Sequence, residues 1–437
     1  MCVLILPLLR RHLPFIIKNK VFHQLISLVR LAQKFKHFYI GIINMIKKTL
    51  IASALLGIFA SNAAIANEET DKLRQIIAEQ QKVLKALEKR LDETDQKLNA
   101  TAEHIEVESE AKESIFANTS IGGYGELHYN NYDDSDAKVD FHRFVLFFGH
   151  EFSDSVRFFS EFELEHSIAG EGKSGEVELE QAYVEVDISE ATSTKVGLFL
   201  VPVGIINETH EPPTFYGVER NGVEKNIIPA TWWEAGVAFN YKPSAGLSID
   251  GAVTSGLEVG EDFKIRNGRQ KVAKATAENL AYTGRIKYTA ITGLELAATV
   301  QYQTDLTQGG TNFDAPIDTA DAMLLEAHAI YQISDFTLRA LYARWDINGD
   351  EAKALGRDEQ TGWYLEPAYK INEKVGVFAR YAEYDNNAGD NDSTAVESTS
   401  VGVNYYLHEN VVLKADYENL GGSKDSKGFN LGFGYQF

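Results

Sequence analysis

The chain has 437 residues, a formal net charge of −21 and a single cysteine, Cys2. Residues 1–66 carry nine Lys or Arg and no Asp or Glu, which leaves 33 basic against 63 acidic residues, a net charge of −30, in the remainder. Because nucleic-acid binding depends on neutralising phosphates, this balance argues against a nucleic-acid partner. The chain after residue 66 contains no cysteine, so it forms neither disulfides nor thiolate metal sites.

Residues 1–44 are basic and apolar without clear periodicity. The segment that follows has the pattern of a signal peptide, and such peptides do not normally lie behind so many residues. We therefore interpret 1–44 as a start codon assigned too early, with Met45 as the true start. A functional basic amphipathic extension is the alternative.

The segment from Met45, MIKKTLIASALLGIFASNAAIANEE, is typical of a secretory signal peptide. Two lysines precede an apolar run, and Ala64-Ile65-Ala66 is a small-x-small cleavage site. We expect a signal peptide over 45–66, with cleavage between Ala66 and Asn67. An uncleaved anchor is the alternative, although the apolar run is shorter than the ~20 residues of a spanning helix.

A heptad repeat extends over residues 67–110, with Lys and Glu on its flanks. Its seam residues recur at alternating spacings of four and three: Leu73, Ile77, Gln80, Leu84, Leu87, Leu91, Thr94, Leu98, Thr101 and Ile105. A lone helix of this kind would expose its leucines. The pattern therefore predicts a periplasmic coiled coil that self-associates, with docking on the rest of the chain as the alternative. Residues 111–118 are predicted to be a linker.

Short segments with alternating polarity begin at Thr119 and continue to the last residue. We predict sixteen strands: 119–129, 139–151, 156–168, 176–188, 194–200, 231–241, 247–254, 281–289, 294–304, 323–333, 336–345, 362–371, 375–385, 397–406, 411–420 and 428–437. Short turns alternate with longer polar connections, of which 201–230 and 255–280 are the longest. The strand lengths match the ~9–11 residues that a tilted transmembrane strand needs.

This alternation and the even strand count are typical of an outer-membrane β-barrel. Lipid offers no partner to backbone N–H and C=O groups, so a spanning sheet must close. In the last strand, GFNLGFGYQF, Phe, Leu and Tyr share one parity and are predicted to face lipid, while Gly, Asn and Gln face a wet lumen. The sequence predicts an all-β fold, a 16-stranded antiparallel transmembrane barrel over 119–437 preceded by an α-helical coiled coil. A secreted β-sandwich is the alternative.

The stretch GLFLVPVGIINETHEPPTFYGVERNGVEKNIIPATWWEAGVAF, residues 197–239, resembles the phosphate-selective porin O/P family of bacterial outer-membrane porins. The resemblance covers most of 119–437. It implies trimers that form anion-preferring channels, with a third loop that folds into the lumen and narrows it. The terminal Phe437 resembles the signal that the barrel-assembly machinery reads in such proteins.

By this resemblance, the 201–230 connection is the loop that narrows the pore. Structureless loops of this length are usually functional, and the apolar stretch from Val201 to Ile206 favours packing against the inner wall over open water. The charged residues expected at the constriction are Arg220, Lys225, Glu208, Glu211, Glu219 and Glu224.

Strand parity directs a second set of charges into the lumen. These are Arg157, Arg285, Lys287, Arg339, Arg380, Lys414, Glu161 and Glu163, with Glu165, Asp416 and Glu418 beside them. Charged rings that line a pore set its ion preference. The sequence leaves open the alternative that facing acids and bases pair and only hold the barrel wall.

The 255–280 connection contains EDFKIRNGRQKVAK, which is predominantly basic. Its cations are Lys264, Arg266, Arg269, Lys271 and Lys274. A basic patch at a pore mouth raises the local concentration of anions. The segment suits equally well a surface loop that contacts lipopolysaccharide phosphates.

Signals for catalysis or for a metal are weak. His210-Glu211 is followed by two prolines, which does not fit the helical zinc-protease motif. Strand parity scatters the histidines of the early strands between the two faces, so we predict no metal site and no cofactor. These histidines are His128, His142, His150 and His166.

The sequence thus favours a passive channel for small hydrophilic solutes and ions, including anions such as phosphate. We expect it in the outer membrane of a Gram-negative bacterium, as a homotrimer in contact with lipid, lipopolysaccharide and the barrel-assembly machinery. A surface adhesin or receptor barrel, with binding in its long loops, is the alternative. An enzyme is the least favoured class.

Replacing Leu84, Leu87 and Leu91 together by polar residues is expected to loosen the predicted trimer, because three seam positions lose their apolar contacts. Oligomer mobility on native gels measures the effect, with Lys82→Gln and Lys89→Gln on the flanks as controls. A trimer that survives both this triple substitution and removal of 67–110 would show that the helix is dispensable for assembly.

Overall fold

A computed structural model of the chain describes residues 77–82, 85, 118–167, 172, 175–390, 392 and 394–437. Sixteen strands occupy the part from residue 118 onward. They are β1 Thr119–Tyr132, β2 Lys138–Ser153, β3 Val156–Glu165, β4 Val177–Ser189, β5 Thr192–Leu200, β6 Trp233–Ser244, β7 Leu247–Thr254, β8 Ala281–Tyr288, β9 Leu294–Gln303, β10 Asp321–Ile333, β11 Phe336–Asn348, β12 Glu359–Asn372, β13 Val375–Asp385, β14 Val396–His408, β15 Val411–Gly422 and β16 Ser426–Gln436.

Each strand pairs antiparallel with its sequence neighbours, and β1 pairs with β16 to close the barrel. The closing register places Tyr124 opposite Gln436 and Tyr132 opposite Gly428. Beyond the last paired residues, the backbones of Gly123 and Phe437 exchange two hydrogen bonds of 3.0 and 2.8 Å. The predicted closed, 16-stranded barrel is confirmed, and the terminal residue takes part in its closure.

Side chains alternate between an apolar outer face and a lumen face along the strands. In β9, Leu296 and Val300 are each 43% exposed on the outside, whereas Gln301 is 1% exposed inside. In β16, Leu431 is exposed and Asn430 is buried. The predicted parity of the last strand is confirmed, and β9 follows the same rule.

The hydrophobic core lies inside the barrel and is built largely by two connections that return into the lumen. The 201–232 connection holds a 3-10 helix, Pro212–Thr214, and the helix α1, Gly222–Asn226. The 255–280 connection holds a 3-10 helix, Ile265–Gly268. A further helix, α2 Asp350–Ala354, joins β11 to β12.

Apolar residues from both connections pack against the inward side chains of β10 to β12. The cluster includes Ile227, Trp232, Phe263, Leu324 and Trp345, all fully buried. The ring centroids of Trp232 and Trp345 are 6.1 Å apart. Because water inside the lumen would solvate these groups poorly, their burial stabilises the inward path of both connections.

Two β-bulges break the alternation near the start of the barrel. The register between β1 and β2 skips His142, and that between β3 and β4 skips Glu180. A bulge sets two consecutive residues against one partner. Both His142 and Arg143, and both Glu180 and Gln181, therefore lie on the lumen side.

Residues 77–82 and 85, within the predicted coiled coil, are helical and exposed. The rest of that coil over 67–110 lies outside the described residues, as do the extension 1–44, the signal peptide 45–66 with its cleavage site, and the linker up to residue 117. None of the described helices is long and apolar enough to cross a membrane.

Leu431→Lys is expected to destabilise the barrel by about 2–4 kcal/mol, because it places a charge on the lipid face in the middle of β16. Ile333→Lys is the matched control, since Ile333 is exposed on the outside but at a strand end, where the cost falls to about 0–1 kcal/mol. Urea unfolding in lipid vesicles measures both. Equal losses for the two variants would contradict the assigned membrane position.

Candidate functional site: a constriction in the lumen

The 201–232 connection crosses the lumen and is anchored to the far wall through its backbone. Lys414 Nζ donates to the carbonyl of Gly217 at 2.8 Å, and the Val218 N–H donates to Asp416 Oδ2 at 2.6 Å. Trp345 Nε1 donates to the carbonyl of Ile227 at 2.9 Å. Backbone groups that leave the sheet must find partners elsewhere, and here the wall supplies them.

Glycines on the lumen face of the strands make room for this connection. A Cβ at Gly434 would lie 2.2 Å from the Pro212 side chain, and one at Gly362 would lie 2.8 Å from that of Val223. Any larger residue at these positions would displace the loop. Some of the lumen-facing glycines of β16 therefore pack against this connection, whereas the sequence predicted that they face a wet lumen.

Glu224 clamps the connection onto itself and onto β12. Its Oε2 accepts hydrogen bonds from the N–H groups of Ile205 and Ile206 at 3.0 and 2.8 Å, and its Oε1 accepts one from the Tyr364 hydroxyl at 2.7 Å. Burial raises the pKa of Glu224, while the Tyr364 and Ile206 hydrogen bonds oppose that rise. Because Glu224 is fully buried, it does not line the pore, and its predicted place at the constriction surface is wrong.

The two inward connections bring together cations that the sequence assigned to two separate features. Arg220 and Lys225 line the same lumen cavity, of about 290 Å³, as Arg266, Arg269 and Lys271. The predicted constriction and part of the predicted basic pore mouth therefore form one site. We call this the cationic constriction.

The Arg side chains of the cationic constriction are held by neutral oxygens. Arg220 Nη1 donates to Thr231 Oγ1 at 2.8 Å, and Arg266 Nη1 donates to the Lys225 carbonyl at 2.6 Å. Arg269 Nη1 donates to the Thr231 carbonyl at 2.6 Å. Among the described residues, none of these three arginines has a carboxylate within ion-pair distance.

Lys225 stands in the same cationic surroundings. The surrounding protein lowers the pKa of Lys225, and Arg266 and Arg220 lower it further, against the opposing effect of Glu219. A group whose charged form is disfavoured by its cationic neighbours gains most from a nearby anion.

Acidic and imidazole side chains of β1 to β4 also line the cavity. Glu126 lies 2.9 Å from Arg143 and 3.2 Å from His128. Glu219, from the 201–232 connection, accepts from His128 at 2.9 Å, and Glu178 pairs with Lys271. Positive and negative groups thus line the same cavity, and several of them are in direct contact.

Most of the predicted lumen charges are ion-paired in the wall. Arg157 pairs with Asp187 at 2.7 Å, and both Arg339 and Arg380 pair with Glu366 at 3.0 Å. The other members have these partners: Arg285 with Asp250 and Glu208, Glu163 with Arg143, Glu161 with Gln181, and Lys414 with the Gly217 carbonyl. The wall-holding alternative therefore describes these residues better than free rings of charge.

The remaining candidates lie away from the cationic constriction. Glu208 and Lys287 line a second lumen cavity of about 850 Å³ on the side of the short turns. Lys264 and Lys274 are exposed and line neither cavity, and Glu211 lines neither as well.

Residues 121–427 match the family described as phosphate-selective porin O and P. The chain belongs to this family. An uncharacterised protein of Aquifex aeolicus is 31% identical in an alignment of 354 residues that covers 73% of this chain and 80% of the relative. The resemblance drawn from residues 197–239 is thereby confirmed, and the chain is an outer-membrane channel protein.

Solved porins share the fold of this porin at low sequence identity. The anion-selective porin of Comamonas acidovorans superposes with a TM-score of 0.53 at 13% identity, covering 73% of this chain and 99% of that chain. OmpF of Salmonella typhi, in complex with daunomycin, gives 0.52 at 16% identity over 73% and 98%. A trimer form of OmpT, an outer-membrane protein of Vibrio cholerae, gives 0.51 at 14% identity over 73% and 99%.

Three histidines of this porin lie close together, although strand parity predicted that they point to different faces of the sheet. The rings of His128 and His142 stack with centroids 4.7 Å apart, and those of His142 and His166 lie 5.4 Å apart. Asp140 Oδ2 lies 3.1 Å from His142 Nδ1 and 2.8 Å from His166 Nδ1. The predicted scatter is wrong for these three because the bulge turns His142 inward and because β3 ends at Glu165, so that His166 follows a turn and not the strand parity. His150 stays apart.

The bulge in β4 can be recognised from the sequence. Outward apolar residues of β4 sit at odd positions, Val177 and Leu179, and then at even ones, Val184 and Ile188. A change of parity within one strand indicates an extra residue. A search for such changes would have placed Glu180 and Gln181 together on the lumen face.

Glu224→Ala is expected to loosen the 201–232 connection and leave the barrel closed, because it strands two buried backbone N–H groups at about 1–3 kcal/mol each. Glu224→Gln retains an acceptor and should be milder. Glu211→Ala, in the same connection but without a buried partner, is the matched control. Limited proteolysis of 201–232 measures the effect, and equal cleavage of both alanine variants would contradict the clamp.

Proposed function

We propose that this porin is a passive channel whose lumen constriction favours anions, phosphate among them. The observation that carries the proposal is the convergence of Arg220, Lys225, Arg266 and Arg269 on one lumen cavity. Guanidinium groups present several N–H donors in a planar fork that suits phosphate oxygens. Such groups, fixed in a narrow lumen, replace part of the hydration of a passing anion.

The balance of charge at the cavity supports a preference for anions. Six Arg or Lys and five carboxylates line it, so the cations exceed the acids by one before any histidine is counted. Three of the acids, Glu126, Glu178 and Glu219, are each engaged by a cation or an imidazole. The arginines of the cationic constriction are engaged by neutral oxygens and keep their charge available to a solute.

The inward path of the long connections supports a channel over an adhesin. The two longest connections pack their apolar residues into the barrel, so the lumen and not the outer surface receives them. We further infer a homotrimer, which the heptads of 67–110 favour and for which the trimer form of Vibrio cholerae OmpT is a precedent. Lipopolysaccharide and the barrel-assembly machinery are proposed partners on the grounds of membrane location and the terminal Phe437.

Replacing Arg220 and Lys225 by Gln is expected to shift the reversal potential toward cation preference. A fixed charge about 5 Å from a permeating ion is worth about 3 kcal/mol at an effective dielectric constant of about 20, before salt screening. Losing two such charges should change the anion-to-cation permeability ratio by on the order of tenfold. Planar bilayers with a potassium chloride gradient provide the measurement.

The matched control replaces Lys264 and Lys274 by Gln, which removes the same net charge from exposed positions outside the cavity. Its reversal potential should stay close to wild type. A wild-type channel that prefers cations would overturn the proposal, as would equal shifts in the two double variants. Absence of stepwise currents in a folded barrel would favour the adhesin.

A further inference from the structure

A second cluster of ionisable groups lies between the 201–232 connection and the wall, and its Glu180 also lines the cavity of the cationic constriction. It consists of Glu161 on β3, Glu180 on β4 and His210 in the connection. The three residues are 1%, 1% and 3% exposed. Nothing in the proposed ion path requires two buried carboxylates and an imidazole at this point.

The spacing of the three ligand atoms fits a metal better than hydrogen bonds. His210 Nε2 lies 3.5 Å from Glu161 Oε1 and 3.6 Å from Glu180 Oε2. Good N–H···O hydrogen bonds span about 2.7–3.2 Å. Nitrogen and oxygen ligands at about 2.1 Å from a tetrahedral zinc ion are separated by roughly 3.4 Å.

Two of these buried atoms are without a hydrogen-bond partner among the described residues. They are His210 Nε2 and Glu180 Oε2. A buried polar atom left unpaired costs about 1–3 kcal/mol, so native structures rarely retain one without a ligand, ion or water. These two atoms lie 3.6 Å from each other.

The negative charge around the cluster also favours a bound cation. Glu163, on the same face of β3 as Glu161, is fully buried and neither of its carboxylate oxygens accepts a hydrogen bond. Arg143 lies 3.3 Å from Glu163, but it also pairs with Glu126. Glu126 also has His128 at 3.2 Å, so Glu161, Glu163 and Glu180 are the acids with little positive charge beside them, and buried charge without compensation is costly.

The supporting contacts orient the candidate ligands as in known metal centres. His210 Nδ1 lies 3.2 Å from the carbonyl of Asn207, which leaves Nε2 as the free ring nitrogen. Gln181 Nε2 donates to Glu161 Oε2 at 2.7 Å, and the Tyr124 hydroxyl donates to Oε1 at 3.5 Å, which leaves one lone pair of Oε1 for a metal. Such outer contacts fix tautomer and ligand direction. The bulge that turns Glu180 inward beside Gln181 completes the set.

We propose that Glu161, Glu180 and His210 bind one divalent transition metal, and that this metal pins the 201–232 connection to the wall. One imidazole and two carboxylates suit zinc, with a fourth position left for water. The metal would neutralise the buried acids and join two strands to the loop. The link to flow through the channel rests on the proposed function, whereas metal binding itself does not.

The test uses the folded full-length porin in detergent, stripped with a chelator and then dialysed against zinc. Metal content per chain should be one for wild type and one for His150→Asn, a control histidine outside the cluster. His210→Asn should bind zinc at least ~100-fold more weakly, since even outer contacts are worth about 10–100-fold in affinity. Zinc should also protect 201–232 from limited proteolysis in wild type and not in His210→Asn.

Two further variants keep the result unambiguous. Replacing His142 and His166 by Asn removes the half-buried histidine pair near Asp140 and should leave the buried zinc in place. Should His210→Asn fail to fold, as judged by heat-modifiable gel mobility, Glu180→Gln provides the same comparison. Cobalt bound to wild type should show visible bands typical of four or five ligands.

Equal zinc affinity in wild type and in the folded His210 or Glu180 variant would overturn the proposal. A wild type that binds no zinc would also overturn it. In that case a protonated His210 would be the group that balances the charge of the buried carboxylates. Since these measurements involve no current, their failure is distinct from a failure of anion preference in bilayers.

Discussion

The structure depends on one constraint, that no backbone N–H or C=O inside a bilayer can be left without a partner. The sheet meets it by closing, and the last contacts are those between Gly123 and Phe437. Closure fixes which residues face lipid and which face inward. Leucine, valine and aromatic side chains stay exposed outside because hydrocarbon is their solvent, and the polar residues of the same strands gather in a lumen of limited width.

The same requirement explains how the lumen is filled. A connection that enters the barrel brings backbone groups that no strand can pair, so side chains of the wall must bind them. Lys414 and Trp345 do so for the 201–232 connection, as Tyr364 does for the clamp at Glu224. Cations used in this way, or paired with acids such as Glu366, hold the structure. The arginines on the connections themselves, such as Arg220, are bound by neutral oxygens.

The charges around the cavity come from different parts of the chain. The cationic constriction belongs to two connections, which docking against one another brings together, while most of the acids belong to the first four strands and Glu219 belongs to the 201–232 connection. Bulges on those strands increase the density of ionisable groups by turning adjacent residues inward. This produces both the histidine group around His142 and the buried pair of Glu161 and Glu180 opposite His210.

The sequence by itself determined the barrel, because period-two alternation and the aromatic end at Phe437 indicate which face of each strand contacts lipid and which contacts water. It also indicated that the 201–230 connection packs against the inner wall, since Val201 to Ile206 are too apolar for open water. Tertiary structure alone decided that Glu224 is a buried clamp, that Arg266 and Arg269 join Arg220, and that Arg339 and Arg380 hold the wall. Those roles depend on contacts between residues far apart in the chain. Strand parity carries no information about such contacts, and it fails where a bulge at His142 or Glu180 inserts one residue.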